Sequence, residues 1–391
     1  MCFFLSASKF FTTTTMNCSI LSSVASPTIL AHSSATPRIH PSTPNLNRHS
    51  VVTTTKSVTP STQTATLHTV FHHPQPLRIT TESVPQHQIP NIGFTQMFGS
   101  TIVVHPLSFR ILAHSENTCK ILGISPFDLC GADARSLFTR SSALLLQKAF
   151  KAREVSLTNP VLIQSRTSGE AFHGILHRTN AGIVVDLEPA SWIENSGLST
   201  FECGGSDVKL LCNSVVETVR EMTGYDRVMM YKFHEDEHGE VVAERKRPDL
   251  KPYMGLHFPA GDIPEASRVS FLHNRVRMIV DRDSSPVRVV QDETLVEAVC
   301  LTKSTLRAPH GCHVEYMANM GCVGSLVISV VVDGGEGCMK LWGLLICHHA
   351  SPKLLSFPLR SACESVVQAF GEGLKMEKQS PVEESSALCF R

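Results

Sequence analysis

From about Phe94 onward, apolar and polar positions fall into patterns that assign most of the chain to strands and helices. Ser100–Val104 and Phe109–Ala113 read as strands divided by a turn at Pro106. Glu116–Leu122, stopped by Gly123, and Ser141–Lys151 read as helices. Pro160–Gln164, Ala171–Arg178 and Gly182–Leu187 read as three closing strands. Ala190 to Gly205 is a poor core former and reads as a connection between domains. Beyond it, Val208, Leu211, Cys212, Val215, Val219 and Met222 share one face of an amphipathic helix, with Asp207 placed to cap it and Gly224 to end it. Arg227–Phe233 and Gly239–Glu244 are strand-like, Pro264–Asn274 reads as a helix with Pro264 in its first turn, and Val276–Val280 as a strand. Asp281 to Leu306 is long and irregular, and such loops often carry function. Leu326–Val332 and Met339–His348 are apolar on both parities, which requires a sheet covered on both faces; Asp333-Gly334-Gly335 turns between them. Phe357–Lys378 is a last helix, with Leu359, Ala362, Cys363, Val366, Val367 and Phe370 facing inward.

Composition alters this picture mainly at the N-terminus. Residues 1–88 are rich in Ser, Thr, Pro and His and hold no acidic residue before Glu82. A segment of that composition cannot bury enough apolar surface to offset its ordering entropy, so it reads as a disordered extension. Ser-rich and acid-free is also the composition of a plastid transit peptide, which stays open as a second reading. The boundaries that follow are an extension over 1–88, a first domain over 89–190, a linker over 191–206, a second domain over 207–379 and a tail over 380–391. The formal net charge of zero gives no electrostatic argument for nucleic acid or an anionic membrane. No apolar run approaches the ~18 residues of a membrane span. The 13 cysteines are odd in number and form no C-x-x-C pair, so a reducing compartment fits better than a disulfide scaffold or a zinc ribbon.

Candidate chemistry is densest between Arg307 and Gly321, where one cysteine, two histidines, an arginine and a tyrosine crowd into ten residues. Pro309 and Gly311 predict a turn, Cys312 to Met320 a short helix, and Gly321 its C-cap. A helix N-terminus and flanking imidazoles both favour thiolate, so Cys312 is a candidate nucleophile. On composition alone the commoner reading is a buried structural cysteine beside core histidines. His234-Glu235-Asp236-Glu237-His238 admits a metal site, but successive loop residues point in different directions, and the pattern favours a solvated hairpin tip with no metal.

The ordered set of motifs then resembles one family. Gly224-Tyr225-Asp226-Arg227-Val228-Met229-Met230-Tyr231-Lys232-Phe233, Pro259-Ala260-Gly261-Asp262-Ile263-Pro264, Asn274-Arg275-Val276-Arg277-Met278-Ile279, the Arg307–Gly321 stretch, and Leu341-Trp342-Gly343-Leu344 with Cys347-His348-His349 follow one another as in the N-terminal part of plant phytochromes. The α/β pattern of the first domain suits a PAS-type sensor fold. The resemblance implies a PAS domain followed by a GAF domain, each an antiparallel sheet flanked by helices. It implies a red/far-red photoreceptor whose cofactor is a covalent linear tetrapyrrole of the phytochromobilin type, isomerising at its D ring. Cys312 matches the attachment cysteine, His313 the histidine beside the pyrrole nitrogens, and Asp262 the aspartate whose carbonyl meets them. His348 matches the D-ring carbonyl's partner, Arg277 and Arg307 the propionate arginines, and Ser325 a small polar group on the propionate side. Tyr231 and Tyr316 match aromatics around the D ring. The only bond-making step implied is autocatalytic attachment, so the chain is not expected to be an enzyme. Expected partners are the bilin and possible pairing with other phytochromes or signalling proteins, without direct nucleic-acid or membrane contact, in cytoplasm and nucleus.

Departures from the family pattern qualify these expectations. Phe258 stands where the family usually has a D-ring tyrosine, and Gly261 replaces a residue with a side chain, which loosens that turn. Thr95-Gln96-Met97-Phe98-Gly99 is a degraded form of a family motif. The linker before Asp207 is short and lacks an expected helix, a change that bears on how the N-terminal segment threads the second domain. The sequence stops before the PHY domain and output modules that the resemblance implies, so any photoconversion is expected to be incomplete or fast-reverting. A non-photochemical interaction module, or a non-functional gene product, is the competing reading. A Cys/His hydrolase built on Cys312 with His310 or His313 is disfavoured, since adjacent residues rarely align an imidazole with the sulfur and no oxyanion hole is evident.

Overall fold

A computed structural model describes residues 93–125, 129–190, 207–334 and 338–379. The extension over 1–88, the linker over 191–206 and the tail over 380–391 lie outside the described residues. All described residues belong to one compact unit holding two antiparallel sheets.

The first sheet is built from β1 (Phe94–Thr95), β2 (Ser100–Val104), β3 (Ile111–Ser115), β4 (Val161–Gln164), β5 (Ala171–Arg178) and β6 (Ile183–Pro189), with α1 (Thr118–Leu122) and α2 (Arg140–Phe150) alongside. Its core joins Ile102, Val104, Ile111, Leu122, Leu146 and Phe150 with Phe172, Leu176, Val185 and Leu187, the clustering that the apolar periodicity implies. Thr139 Oγ1 accepts from Ser142 N and so caps α2, while Gly123 ends α1 in the left-handed conformation. The third predicted strand boundary moves: Phe109 has φ +61 and stacks on Phe150 at 5.1 Å, so pairing starts at Ile111 rather than at Phe109.

The second sheet holds β7 (Arg227–Phe233), β8 (Gly239–Lys246), β9 (His257–Phe258) and β10 (Val276–Ile279), completed by β12 (Gly324–Asp333) and β13 (Met339–His349). Their order is β10-β12-β13-β7-β8-β9. α3 (Val208–Thr223) and α6 (Phe357–Gln379) pack against one face, and Asp207 Oδ1 accepts from Lys209 N at 2.8 Å to cap α3. α4 (Glu265–His273) and α5 (Gly311–Asn319) belong to the other. Pro264 serves as the residue before α4 rather than within its first turn.

The stretch 281–306 is not irregular throughout. It contains β11 (Val287–Gln291), which pairs with β3 and β1 and extends the first sheet to seven strands, ordered β1-β11-β3-β2-β6-β5-β4. A strand whose partners lie in another domain carries no local turn signal, which is why pattern alone misses it. Beside it, Gln96 donates to Met278 O at 2.9 Å and Arg307 O at 3.3 Å and accepts from Val280 N at 3.0 Å. The degraded motif therefore keeps a structural anchor: a buried amide pinning the N-terminal strand to the second domain. Arg360 grips Glu188 through two 2.8 Å contacts, a buried pair from opposite domains. Asp186 accepts from Thr101 Oγ1, Ser304 Oγ and Thr305 N, while burial still pushes its carboxyl up to about 6.

Candidate functional site: a cleft on the polar face of the second sheet

Strand alternation sorts the apolar runs of the second domain into two different faces. Val228 and Met230 of β7, Met278 of β10, Leu326 and Ile328 of β12, and Leu345 and Cys347 of β13 enter the aliphatic core under α3 and α6. The opposite parity carries Tyr231, Arg277, Ser325 and His348, together with Met229, Val327, Leu344 and Ile346. Ser325 and His348 are directly paired across β12 and β13, so their side chains stand together on that second face.

α4 and α5 complete the surroundings without closing them. α3 buries seven of its 16 residues, whereas α4 buries none and α5 buries only Met317. Arg277, Arg307, His313, Tyr316 and His348 all keep solvent-accessible surface. Protein nevertheless surrounds each closely enough to penalise charge. Burial, with Arg277 and Arg307 close by, pulls His313 down to about 4. Burial, then Arg227 and His313, pulls His348 down to about 3. Burial pushes Tyr316 up to about 12 and raises Tyr231, with Asp262 contributing to both. Asp262 is itself raised by burial. Accessible yet charge-penalised side chains are what the walls of a cleft present.

These mutual influences join the sequence candidates into one site. Arg307 acts on Arg277, both act on His313, and His313 acts on His348, while Asp262 acts on Tyr231 and Tyr316. His313 and Tyr316 lie one helical turn apart on α5 with rings 6.3 Å apart, and Phe258 packs against Tyr231 at 5.9 Å. Cys312 is half-buried in the first turn of α5, where His310 Nδ1 accepts from Cys312 N at 3.3 Å and caps the helix.

Arg277 defines what the cleft can hold. Its Nη1 is buried without a hydrogen-bond partner, and burial, with Arg307 beside it, lowers its guanidinium well below the usual arginine range. Among the described residues no carboxylate lies within ion-pair distance of Arg277 or Arg307. A guanidinium held this way costs several kcal/mol unless an anion meets it. The surface thus suits a ligand that brings a carboxylate to Arg277 and Arg307.

Several positioning residues escape sequence reasoning. Arg268 donates to Ile263 O at 2.7 Å and Ala260 O at 3.2 Å and pairs with Glu237, pinning the turn around Asp262. A Cβ at Gly261 would meet open space, so packing in that turn does not require a glycine. Arg227 pairs with Glu244, donates to Lys251 O, and lies 3.7 Å from the Tyr253 ring centroid. Gly239 is required sterically, because a Cβ there would overlap the Tyr231 ring. These contacts cross a turn or a strand pair, with partners between five and 31 residues away, and no hydrophobic period reports them. The 234–238 hairpin tip also departs from expectation: the rings of His234 and His238 stack at 4.3 Å instead of diverging.

Comparison with known proteins identifies this arrangement. Residues 84–190 match the PAS fold model and residues 207–373 the GAF domain model. Phytochrome B-2 of Glycine max is 52% identical over 379 residues, covering 83% of this chain and 33% of that protein. Phytochrome B of Arabidopsis thaliana is 46% identical, covering 92% of this chain and 35% of that protein. The chromophore-binding domain of a bacteriophytochrome from R. palustris superposes with a TM-score of 0.66 at 30% identity, covering 76% of this chain and 99% of that one. That of Stigmatella aurantiaca, in the Pr state, gives 0.67 at 32% identity, covering 75% and 98%. A PAS fold followed by a GAF domain defines the class of protein. Within it, the chain belongs to the phytochrome family, and it spans about a third of the length of the curated relatives it matches. Among the described residues no helix is long and apolar enough to cross a membrane.

Proposed function

We propose that this chain is the chromophore-binding part of a red/far-red photoreceptor and holds a linear tetrapyrrole covalently through Cys312. The observation that carries the reading is the pair of carboxylate-free guanidiniums, Arg277 and Arg307, set beside the helix that bears Cys312. When bound, the tetrapyrrole supplies visible absorption and a double bond that isomerises at its D ring. Arg277 and Arg307 receive its propionates, which returns the desolvation cost of burying the guanidiniums. Cys312 Sγ would hold the A-ring side chain by adding across its alkene, with the thiol proton going to the neighbouring carbon, so no oxidant or reductant would be needed. His313, held neutral by burial, and the carbonyl of Asp262 would be the groups that meet the pyrrole nitrogens. His348, also neutral and paired across the sheet with Ser325, offers a ring nitrogen to the D-ring carbonyl. Tyr231, Tyr316 and Phe258 wall the D ring, and Phe258 gives shape without a hydroxyl. The protein performs no turnover on other substrates.

Producing the chain with a bilin source tests this reading. The expected result is a pigment-bearing band on a denaturing gel, fluorescent with zinc, that disappears in Cys312→Ala, together with a red/far-red difference spectrum in the wild type. A band persisting in Cys312→Ala would overturn the attachment, and a colourless wild-type protein would favour a non-photochemical interaction module.

A further inference from the structure

The tip of the β7–β8 hairpin and the two-residue strand β9 bring three histidines together outside the cleft. His234, His238 and His257 each present a ring nitrogen, and these nitrogens lie within 4.8 Å of one another. His238 Nε2 and His257 Nδ1 are 3.0 Å apart. Tetrahedral zinc with Zn–N bonds of about 2.0–2.1 Å separates its ligand nitrogens by about 3.3 Å, so an ion is admitted once the His234 and His238 rings turn out of their stack and the three nitrogens draw together. Only one proton fits between two imidazole nitrogens, whereas a divalent ion satisfies both lone pairs. The surroundings resemble a support shell. Asp236 Oδ1 contacts His238 Nδ1, which orients the ring and leaves Nε2 outward. Glu240 Oε2 lies 2.9 Å from His234 Nε2 and can serve as a support or a fourth ligand. Glu237, another carboxylate on the tip, is taken by Arg268. His234 and His238 are half-buried and His257 is exposed, so ions can enter from solvent.

We infer that His234, His238 and His257 form a binding site for a zinc-class divalent transition-metal ion that ties β9 to the hairpin tip. His257 directly precedes Phe258, whose ring packs on Tyr231, so the ion would stiffen one wall of the cleft. The inference does not depend on the tetrapyrrole reading and is tested on protein made without bilin.

The test titrates the untagged full chain with cobalt(II), followed by zinc competition and thermal unfolding. Expected are one saturable site per chain, visible bands of nitrogen and oxygen ligation without a sulfur charge-transfer band, and a Tm that rises with zinc. His257→Ala, and independently His257→Gln, should weaken binding by about ten-fold or more while leaving the metal-free Tm unchanged. Cys312→Ala should leave binding intact. Absence of a saturable site, unaltered affinity in both His257 variants, or a sulfur charge-transfer band would each overturn the proposal.

Discussion

The two faces of the second sheet use the same strands for opposite purposes. Under α3 and α6, Leu326, Ile328, Val330, Leu345 and Cys347 meet Val215, Val219, Cys363 and Phe370 in a packed core from which water is excluded. One residue along each strand, on the side of α4 and α5, Arg277 and His348 keep accessible surface, with Ser325 and Tyr231 buried beside them. Burying aliphatic side chains at ~1.5–3 kcal/mol each on the first face supplies the stability that lets the second carry charge and polarity. Cohesion and ligand chemistry are thus divided by strand parity and not by domain.

Truncations on the two faces should separate most widely. Leu345→Ala, at a fully buried position, should cost about 2–5 kcal/mol in denaturant unfolding. Ile346→Ala, its half-exposed neighbour on the cleft face, should cost only about 1 kcal/mol. Equal losses would erase the distinction between the faces. A smaller stability effect with a larger functional one is expected for Gly239→Ala, which forces the Tyr231 ring aside. It should cost about 1–3 kcal/mol as overpacking and shift the absorption of the bilin adduct. An unchanged spectrum would show that Tyr231 does not shape the pigment's surroundings.

The smallest effect is a pH dependence. Burial depresses His348 to about 3 and, in the first domain, His177 to about 4, where neither ring nitrogen has a partner. Both remain neutral in the folded state while the unfolded chain takes up protons below about 6.5. Stability should therefore fall as pH drops from about 6.5 towards 4. Asp186, raised to about 6, works in the opposite sense: its contribution is present below its unfolded value and is lost as pH rises through about 6. Chemical denaturation of the bilin-free chain across this range, repeated on His348→Gln and His177→Gln, should show a shallower acid slope in each variant. Unchanged slopes would exclude these imidazoles as the cause.

Elements with a strong local period were legible in the sequence. α3, with its Asp207 cap and Gly224 stop, and the apolar strands β12 and β13 lie where periodicity places them. Cys312 at the start of a helix was legible from Pro309 and Gly311. The convergence of Arg277, Arg307, His313 and His348 was not, because residue spacing does not report which strands adjoin; only the family resemblance joined them. β11 and Gln96 were missed for a related reason, their partners lying more than 150 residues away in the chain. The stacked imidazoles of His234 and His238 depend on the hairpin turn and on β9 folding back, and neither is written in the five residues of the tip.

Arg277→Met tests the division of the sheet most directly, by measuring unfolding stability without bilin and bilin affinity on the same variant. Removing an unpartnered buried guanidinium should raise the stability of the bilin-free chain while weakening bilin binding. A variant that is less stable and binds bilin as tightly as wild type would mean that Arg277 belongs to the core, and would contradict the assignment of this face to a ligand.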